Sequence, residues 1–446
     1  MEIIKMDYCS EDNKMRNVEN NVFPPEIWEM IFKKINNPVK LMNYQRVCKD
    51  WFKIIERILE NHNKWMEICI SHLSVEFIWR SIGKRFSTKI FKKDNLYDSC
   101  LKLKPTIWRD IYSLYRKWQR TVDVTHSIDS IKKFPSSLDY EKISCIATWD
   151  DILAVGSSEG FIYFCKIYDL KNIFYIADHK NYVKQIEFWC PDKQLMLIST
   201  CTDARLKFWN ILERQEIETN EYFAYIISIS TDHHCYCEYR GIITNYISNS
   251  WNINKDSEYE LNLHWNQSVI SLYSNKNAVC LSISSGKTIM ECTIMTTSAN
   301  KHDNSIIFLN HSTIVAQSDV PFRFMNQFYR WDDQLAIGLS DKFIAMNKIG
   351  TDDTWITYNV FEYLHGIVTS VIFHINILIL GLDSGALHIF RANHEDKLQN
   401  LCFKTCRSKK IILDNEPIIK INITETQNEP FIIAVTERNI HIIRFF

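Results

Sequence analysis

From residue 143 to residue 445 the chain repeats one pattern: short runs of alternating apolar and polar residues, grouped at intervals of about 40 residues. Alternation with a period of two predicts β-strands, and each group holds three such runs separated by short polar turns. A regular repeat of this length is typical of proteins built from small sheets. The groups begin near these positions: Ile143, Val183, Ile226, Ser268, Phe328, Val368 and Pro417.

The second group carries side chains that identify its type. His179 lies four residues before Val183, Ser199 lies four before Asp203, and Trp209 lies six after Asp203. This order resembles a WD repeat, with Trp-Asn in place of Trp-Asp. The resemblance implies that His179, Ser199, Asp203 and Trp209 form a hydrogen-bonded chain that holds the turns of one blade together, because buried polar groups need partners.

The other groups keep the strand rhythm but lose parts of this pattern. Residues 368–390 place Phe390 where tryptophan is expected and Leu380 where serine is expected. The resemblance implies an all-β WD-repeat propeller over residues 120–446 with seven blades. Residues 304–320 are either an outer strand with a linker or part of an eighth blade. A β-sandwich is the structural alternative, although the regular period argues against it.

The last group ends at Phe446 after its third strand. A sheet left open there would expose an unpaired edge. Residues 120–128 alternate and come just before the first group, so we predict that they supply the missing fourth strand.

Before the repeat, residues 23–51 predict a pair of amphipathic helices. Pro24 and Pro25 favour a helix start, and isoleucines recur every four residues from Ile27 to Ile35. A second helix follows, with these apolar positions: Leu41, Tyr44, Val47, Cys48 and Trp51. Short helices with this much aromatic surface cannot bury all of it among themselves, which predicts a protein partner.

The order of proline, Glu-Ile, spaced isoleucines, Val-Cys-Lys-x-Trp and the later Trp65 resembles an F-box, over residues 21–68. F-boxes dock onto the Skp-family adaptor of a cullin–RING ubiquitin ligase. Here Phe23-Pro24 replaces the usual Leu-Pro, and Lys40-Leu41 replaces Asp-Leu. An ordinary helical hairpin that caps the next domain is the alternative. The resemblance implies that these residues contact or shape the adaptor interface: Phe23, Pro24, Pro25, Ile27, Ile31, Leu41, Val47, Cys48 and Trp51.

The segments on either side of the F-box-like region differ in charge. Residues 1–20 are polar and acidic, predict a flexible N-terminus, and contain no apolar core of a secretory signal. Residues 69–119 read as a basic helical linker, with a cationic excess from Arg80 to Arg120. This surface suits an acidic partner or nucleic acid, but a solvated helix face explains it more simply.

Composition predicts the compartment and excludes some partners. The net charge is −1, so there is no overall attraction to nucleic acid or to membranes, and no apolar run reaches the ~18–20 residues that a membrane span needs. Fourteen cysteines without framework spacing are typical of reduced, buried thiols. We therefore expect a cytoplasmic or nuclear protein, or one found in both compartments.

No catalytic pattern is present in the sequence. It contains no glycine-rich phosphate loop, no Gly-x-Ser-x-Gly and no His-Glu-x-x-His. Residues 233–237 read His-His-Cys-Tyr-Cys, but an extended segment places the two cysteines on one face and divides the histidines between faces. Cys402 and Cys406 could share a helix face, yet no second ligand pair lies nearby in the sequence. We predict no metal and no cofactor.

An F-box followed by a WD-type propeller resembles the substrate receptors of SCF-type ubiquitin ligases. The resemblance implies a non-catalytic subunit that binds the protein to be ubiquitinated. The alternative is a non-degradative propeller scaffold that organises a protein complex. A phosphate reader needs clustered arginines, whereas the strand positions expected to face a substrate are few and mixed, and suit a polar-aromatic peptide surface equally. The strand positions are Tyr163, Lys207, His388 and His441, and Arg240 and Arg438 lie at turns.

Overall fold

The structure is a computed structural model of the 446-residue chain. The chain divides into two compact units, Met1–Ile68 and Cys69–Phe446. The residues that the structure describes are 23–35, 37–61, 64–73, 77–78, 81–82, 103–134, 140–191, 194–217, 221–230, 234–249, 251–261, 263–274, 278–284, 289–295, 312–314, 325–330, 335–340, 342–348, 356–392, 403 and 406–446. The predicted flexible N-terminus, residues 1–20, lies outside them.

Short helices form the first unit. They are α1 (Pro25–Lys33), α2 (Pro38–Tyr44), α3 (Lys49–Asn61) and α4 (Lys64–His72), the last of which continues into the second unit. Helix α1 begins with proline at its first position, as the sequence predicts. Glu29 joins α1 to α3, because its carboxylate accepts hydrogen bonds from Lys33 at 2.8 Å and from Arg57. The bond from Lys33, together with the charge of Arg57, lowers the pKa of Glu29.

The single second helix predicted after Pro38 is wrong, because the structure breaks it in two. Helix α2 ends at Tyr44. The amides of Arg46 and Val47 then donate to the carbonyls three residues earlier, those of Asn43 and Tyr44, and form two overlapping tight turns. Helix α3 then begins at Lys49. The break lets Trp51 fold back onto α1.

Later in the chain, helix α5 (Pro105–Arg120) comes directly before the strands, and the short helix α6 (Phe361–Leu364) lies among them. Helix α5 also begins with proline at its first position. Its apolar side chains recur at helical spacing and are buried: Trp108, Ile111, Tyr112, Leu114 and Trp118. Much of the predicted basic linker, including residues 83–102, lies outside the described residues.

The predicted antiparallel strands are confirmed, and the described strands form seven separate sheets. Strand β1 is His126–Ile131. Sheet I contains β2 (Ile143–Trp149), β3 (Ile152–Ser157), β4 (Phe161–Lys166) and β5 (Asp169–Asp178). Sheet II contains β6 (Val183–Trp189), β7 (Met196–Cys201), β8 (Arg205–Asn210), β9 (Gln215–Glu216) and β10 (Tyr222–Phe223). Sheet III contains β11 (Ile226–Ile229), β12 (Cys235–Tyr239), β13 (Ile242–Asn249) and β14 (Asn252–Glu260).

The remaining sheets follow the same order along the chain. Sheet IV contains β15 (Ser268–Ser274), β16 (Ala278–Ser284), β17 (Ile289–Met295) and β18 (Ser312–Ile314). Sheet V contains β19 (Met325–Arg330), β20 (Leu335–Ser340), β21 (Phe343–Lys348) and β22 (Ile356–Asn359). Sheet VI contains β23 (Val368–His374), β24 (Ile377–Leu382), β25 (Ala386–Arg391) and β26 (Arg407–Ile412). Sheet VII contains β27 (Lys420–Thr426), β28 (Glu429–Val435), β29 (Ile440–Phe445) and β1.

Strand β1 pairs with the last strand of the chain, from His126 opposite Phe445 to Ile131 opposite Ile440. The prediction that the segment before the first group supplies the fourth strand of the last sheet is therefore confirmed. The strand starts six residues later than predicted, because Arg120 still belongs to α5 and a turn follows it.

Neighbouring sheets meet mostly along their first strands. Strand β2 contacts β6 and β27, β11 contacts β6 and β15, β15 contacts β19, β20 contacts β23, and β23 contacts β27. Polar side chains link several of these pairs across the gap between sheets. The Gln185 side chain, for example, donates to the carbonyl of Ile227 at 2.9 Å and accepts from its amide at 3.1 Å. The buried hydroxyls of Ser228 and Ser274 lie 2.9 Å apart.

The apolar core is divided among these junctions rather than collected in one place. Five buried clusters in the described part of the chain each draw residues from two neighbouring sheets: VII and I, I and II, II and III, III and IV, and V and VI. Sheets of four strands cannot bury both faces alone, so each depends on its neighbours.

Candidate protein-binding surfaces

The helices of the first unit expose several large apolar side chains. Phe23 is 55% exposed, Val47 is 60% exposed and Met30 is 59% exposed, and the remaining members are Ile27, Ile31 and Phe52. We call these six residues the apolar face. Large exposed apolar side chains close together in sequence mark an interaction surface better than single ones do. Four of them, Phe23, Ile27, Ile31 and Val47, are residues that the F-box resemblance assigned to the adaptor interface.

The other assigned residues support this face rather than form it. Leu41 is fully buried, and Trp51 packs its ring 4.5 Å from that of Trp28 and 5.1 Å from that of Phe32. Pro24 accepts the first helical hydrogen bonds of α1, and Pro25 begins the helix; both are exposed.

Cys48 is exposed, and its thiol sulfur accepts a hydrogen bond from the Trp51 amide at 3.5 Å. Sequence reasoning missed Met30 and Phe52. Met30 lies three residues after Ile27, so helical spacing could have identified it.

The four residues of the WD-like repeat in sheet II form a chain of three members, not four. The Trp209 indole donates to the Ser199 hydroxyl at 2.7 Å, and His179 Nε2 donates to the Ser199 carbonyl at 3.2 Å. Asp203 instead accepts from Asn181 at 3.0 Å and from the Cys201 thiol. The buried His179 Nδ1 has no hydrogen-bond partner among the described residues, and burial lowers the pKa of this histidine. The structure thus departs from the full chain that the resemblance implies.

Two of the predicted substrate positions, Tyr163 and His441, are buried. The Tyr163 hydroxyl donates to the buried Glu141 at 2.8 Å, and burial raises the pKa of Tyr163. His441 is 1% exposed, and its Nδ1 lies 2.8 Å from the Ser130 hydroxyl of β1. Both side chains hold neighbouring segments in place.

The other four predicted positions reach the surface to different degrees. Lys207 is paired with Glu216 at 2.8 Å, and its ammonium lies over the Trp209 ring. Arg438 and His388 are half-buried, whereas Arg240 is exposed. Arg240 is therefore the strongest of the six candidates for contact with a partner.

His388 should make the second unit sensitive to acid. Burial, followed by the nearby charge of Lys410, lowers the pKa of His388 to about 4 from 6.5. The neutral form is favoured in the fold, so the stability that it contributes is present above pH 6.5 and is lost as pH falls towards 4.

We expect the free energy of unfolding to fall by about 2 kcal/mol from this group between pH 7 and pH 4.5. Urea denaturation of H388Q at both pH values should show a correspondingly smaller loss than the wild type. The exposed His264 provides the control, H264Q, which should keep the full loss. An identical acid loss in H388Q and wild type would contradict the prediction.

The described residues contain neither a cluster of metal ligands nor a helix that could span a membrane. Cys235 Sγ and Cys237 Sγ lie 3.6 Å apart on the predicted shared face, and no group of three potential metal ligands occurs in the described part of the chain. Both thiols are buried, and His233 and Cys402 lie outside that part. No described helix combines the length and apolar character needed to cross a bilayer.

No protein-family model matches this chain, and no curated protein matches it at a significant level.

Proposed function

We propose that this chain is the substrate-recognition subunit of an SCF-type ubiquitin ligase, an F-box/WD-repeat protein. The observation that carries the proposal is the apolar face of the first unit, where exposed Phe23, Ile27, Ile31 and Val47 occupy positions that F-boxes use for the Skp-family adaptor. A surface of this kind costs free energy in water and is stabilised when a partner covers it.

In this proposal the seven sheets are the blades of a WD-type propeller that binds the protein to be ubiquitinated. Support comes from the order of contacts, in which each sheet neighbours the next along the chain and sheet VII contacts sheet I. Pairing of β1 with β29 supports it further, since it joins the first and last segments of the repeat in one sheet. Propellers protect their sheet edges in this way.

Helix α5 would act as a stiff connection to the blades. The Lys117 ammonium donates to the Asn428 carbonyl at 3.0 Å, and the Gln119 side chain donates to the Ile375 carbonyl at 2.8 Å. Arg391 donates to the Gln119 carbonyl at 2.8 Å. A receptor without catalytic residues acts by holding its substrate near another subunit's active site, and a rigid attachment raises the effective concentration there.

The adaptor interface can be tested by co-purification. Full-length protein is expected to bind a Skp-family adaptor and, through it, a cullin. The double variant I27D/I31D places two charges on the apolar face, where desolvation opposes binding, so adaptor affinity should fall more than tenfold. E26A changes an exposed residue of the same helix outside that face and should bind like wild type.

Circular dichroism should show that the double variant keeps its helices. If I27D/I31D bound the adaptor as tightly as wild type does, the proposed interface would be wrong. An adaptor complex that transfers no ubiquitin to any bound protein would instead indicate the scaffold function.

A further inference from the structure

Three aromatic rings and two cations form a continuous cluster where sheets II and III meet. The Phe223 ring stacks on Tyr239 with centroids 5.4 Å apart, and the Tyr225 ring lies 5.1 Å from Tyr239. The Lys184 ammonium lies 5.1 Å from the Tyr225 centroid, and the Arg240 guanidinium lies 5.1 Å from the Tyr239 centroid. We call these five residues the aromatic platform.

The backbone presents the platform to solvent. Lys184 is the extra residue where the register of β6 shifts against β7, and Arg240 sits at the turn between β12 and β13 with φ of 52°. Lys184 and Arg240 are exposed, Phe223 is 38% exposed, and Tyr225 and Tyr239 are half-buried. Phe223 and the two cations are therefore the parts of the platform that a partner can reach most easily.

The platform carries two positive charges, and no ion pair among the described residues includes either of them. In the described part of the chain, neither Lys184 nor Arg240 has an ion-pair partner, whereas Arg205 pairs with Asp203. Glu238 lies two residues before Arg240, but its carboxylate is buried and accepts from the Gly241 amide at 2.8 Å. Burial raises the pKa of Glu238, and the positive charge of Lys184 acts in the opposite direction without forming an ion pair.

We propose that the aromatic platform binds an acidic segment of a protein partner. Carboxylates of that segment would meet Lys184 and Arg240, and an apolar or aromatic side chain would pack on Phe223. Two cations over separate rings suit acids spaced along an extended segment. The tyrosine faces are already occupied by the chain's own cations, so the platform does not suit a cationic ligand. The inference rests on the proposed function in taking this segment to belong to the substrate.

Selection from a library of random 12-residue peptides displayed on phage, against the full-length protein, tests this directly. Such peptides carry no phosphate, so any anionic preference comes from carboxylates. The enriched peptides should be rich in aspartate and glutamate and contain an aromatic residue. Synthetic copies should bind at least tenfold more weakly to K184E/R240E in fluorescence anisotropy, and wild-type binding should weaken as salt is added.

The chain offers a matched control. Arg214 also places its guanidinium over an aromatic ring, that of Phe174, and Lys171 is an exposed cation on the neighbouring strand β5. K171E/R214E should therefore bind the peptides like wild type. No enriched pool, a pool without acidic enrichment, or equal weakening by both double variants would overturn the proposal.

Adaptor binding separates this proposal from the ubiquitin-ligase proposal. K184E/R240E should still co-purify with the Skp-family adaptor, because both substitutions lie in the second unit. If wild type binds acidic peptides but no adaptor, the platform stands and the ligase proposal fails. If wild type binds the adaptor but no acidic peptides, the platform proposal fails and the adaptor interface of the ligase proposal stands.

Discussion

Replacing Trp118 with alanine should destabilise the second unit by about 3–5 kcal/mol. Trp118 is fully buried near the end of α5, and its ring lies 4.9 Å from the His374 ring of sheet VI in an edge-to-face arrangement. Alanine would leave a cavity between the helix and sheets VI and VII.

The same substitution also removes a hydrogen bond from a buried carboxylate. The Trp118 indole donates to Glu425 Oε1 at 2.8 Å, and the Glu425 side chain is only 8% exposed. His374 Nε2 donates to the same oxygen at 3.0 Å and would remain. A buried charge that loses one donor is destabilised even when a second donor stays in place.

Urea denaturation followed by far-UV circular dichroism measures the effect. W118F keeps most of the buried apolar surface and loses only the donor, so it should cost about 1–3 kcal/mol. R109A, at an exposed position of the same helix, should stay within about 0.5 kcal/mol of wild type. If W118A unfolds at the wild-type urea concentration, α5 contributes nothing to the stability of the sheets.

The strands were predictable because alternation along the chain records burial directly. Sheets I, II, III, IV and VI begin at the residues where the sequence groups begin, Ile143 and Val183 among them. The pairing of β1 with β29 was predictable for a related reason. The last group lacked a fourth strand, and an alternating segment before the first group had no other strand to pair with. Both inferences need only local pattern and the cost of exposed backbone groups.

The alternating pattern did not predict how deeply individual side chains are buried. Tyr163 and His441 occupy strand positions expected to face a substrate, yet segments distant in sequence cover them. Glu141 and Phe134 cover Tyr163, and Ser130 of β1 contacts His441. Alternation tells which face of a strand a residue occupies, but it does not tell what packs over that face. The aromatic platform was missed for the same reason, because its five members come together only across the junction of two sheets.

The register shifts of the first strands were also invisible in the sequence. In β2, β6, β19 and β23 the register against the next strand shifts at the second residue, and in β15 it shifts at the third, which leaves one residue unpaired in each strand. In β6 that residue is Lys184. A bulge has no composition signal when it contains no glycine, so only the repeated geometry reveals it.

G381A adds a single methyl group inside a sheet and should lower the free energy of unfolding by about 3 kcal/mol. Gly381 lies in β24 at the point where the first strand of sheet VII approaches sheet VI. A Cβ there would collide with the Ser370 hydroxyl and would lie 2.8 Å from Ile418 Cγ2. Neither neighbour can withdraw freely, because the Ser370 hydroxyl donates to the Ile418 carbonyl at 3.0 Å and Ile418 is fully buried.

An equivalent glycine in sheet I makes the test specific. Gly156 stands opposite Cys145 as Gly381 stands opposite Ser370, and its Cβ would lie 2.6 Å from Cys145 Sγ and 2.9 Å from Val183 Cγ1 of the next sheet. G156A should therefore lower the free energy of unfolding by a similar amount, whereas S384A, at an exposed turn, should leave it unchanged. If both glycine variants unfold like S384A, neighbouring sheets are not held as closely as their contacts indicate, and the proposed packing of blades loses its main physical support.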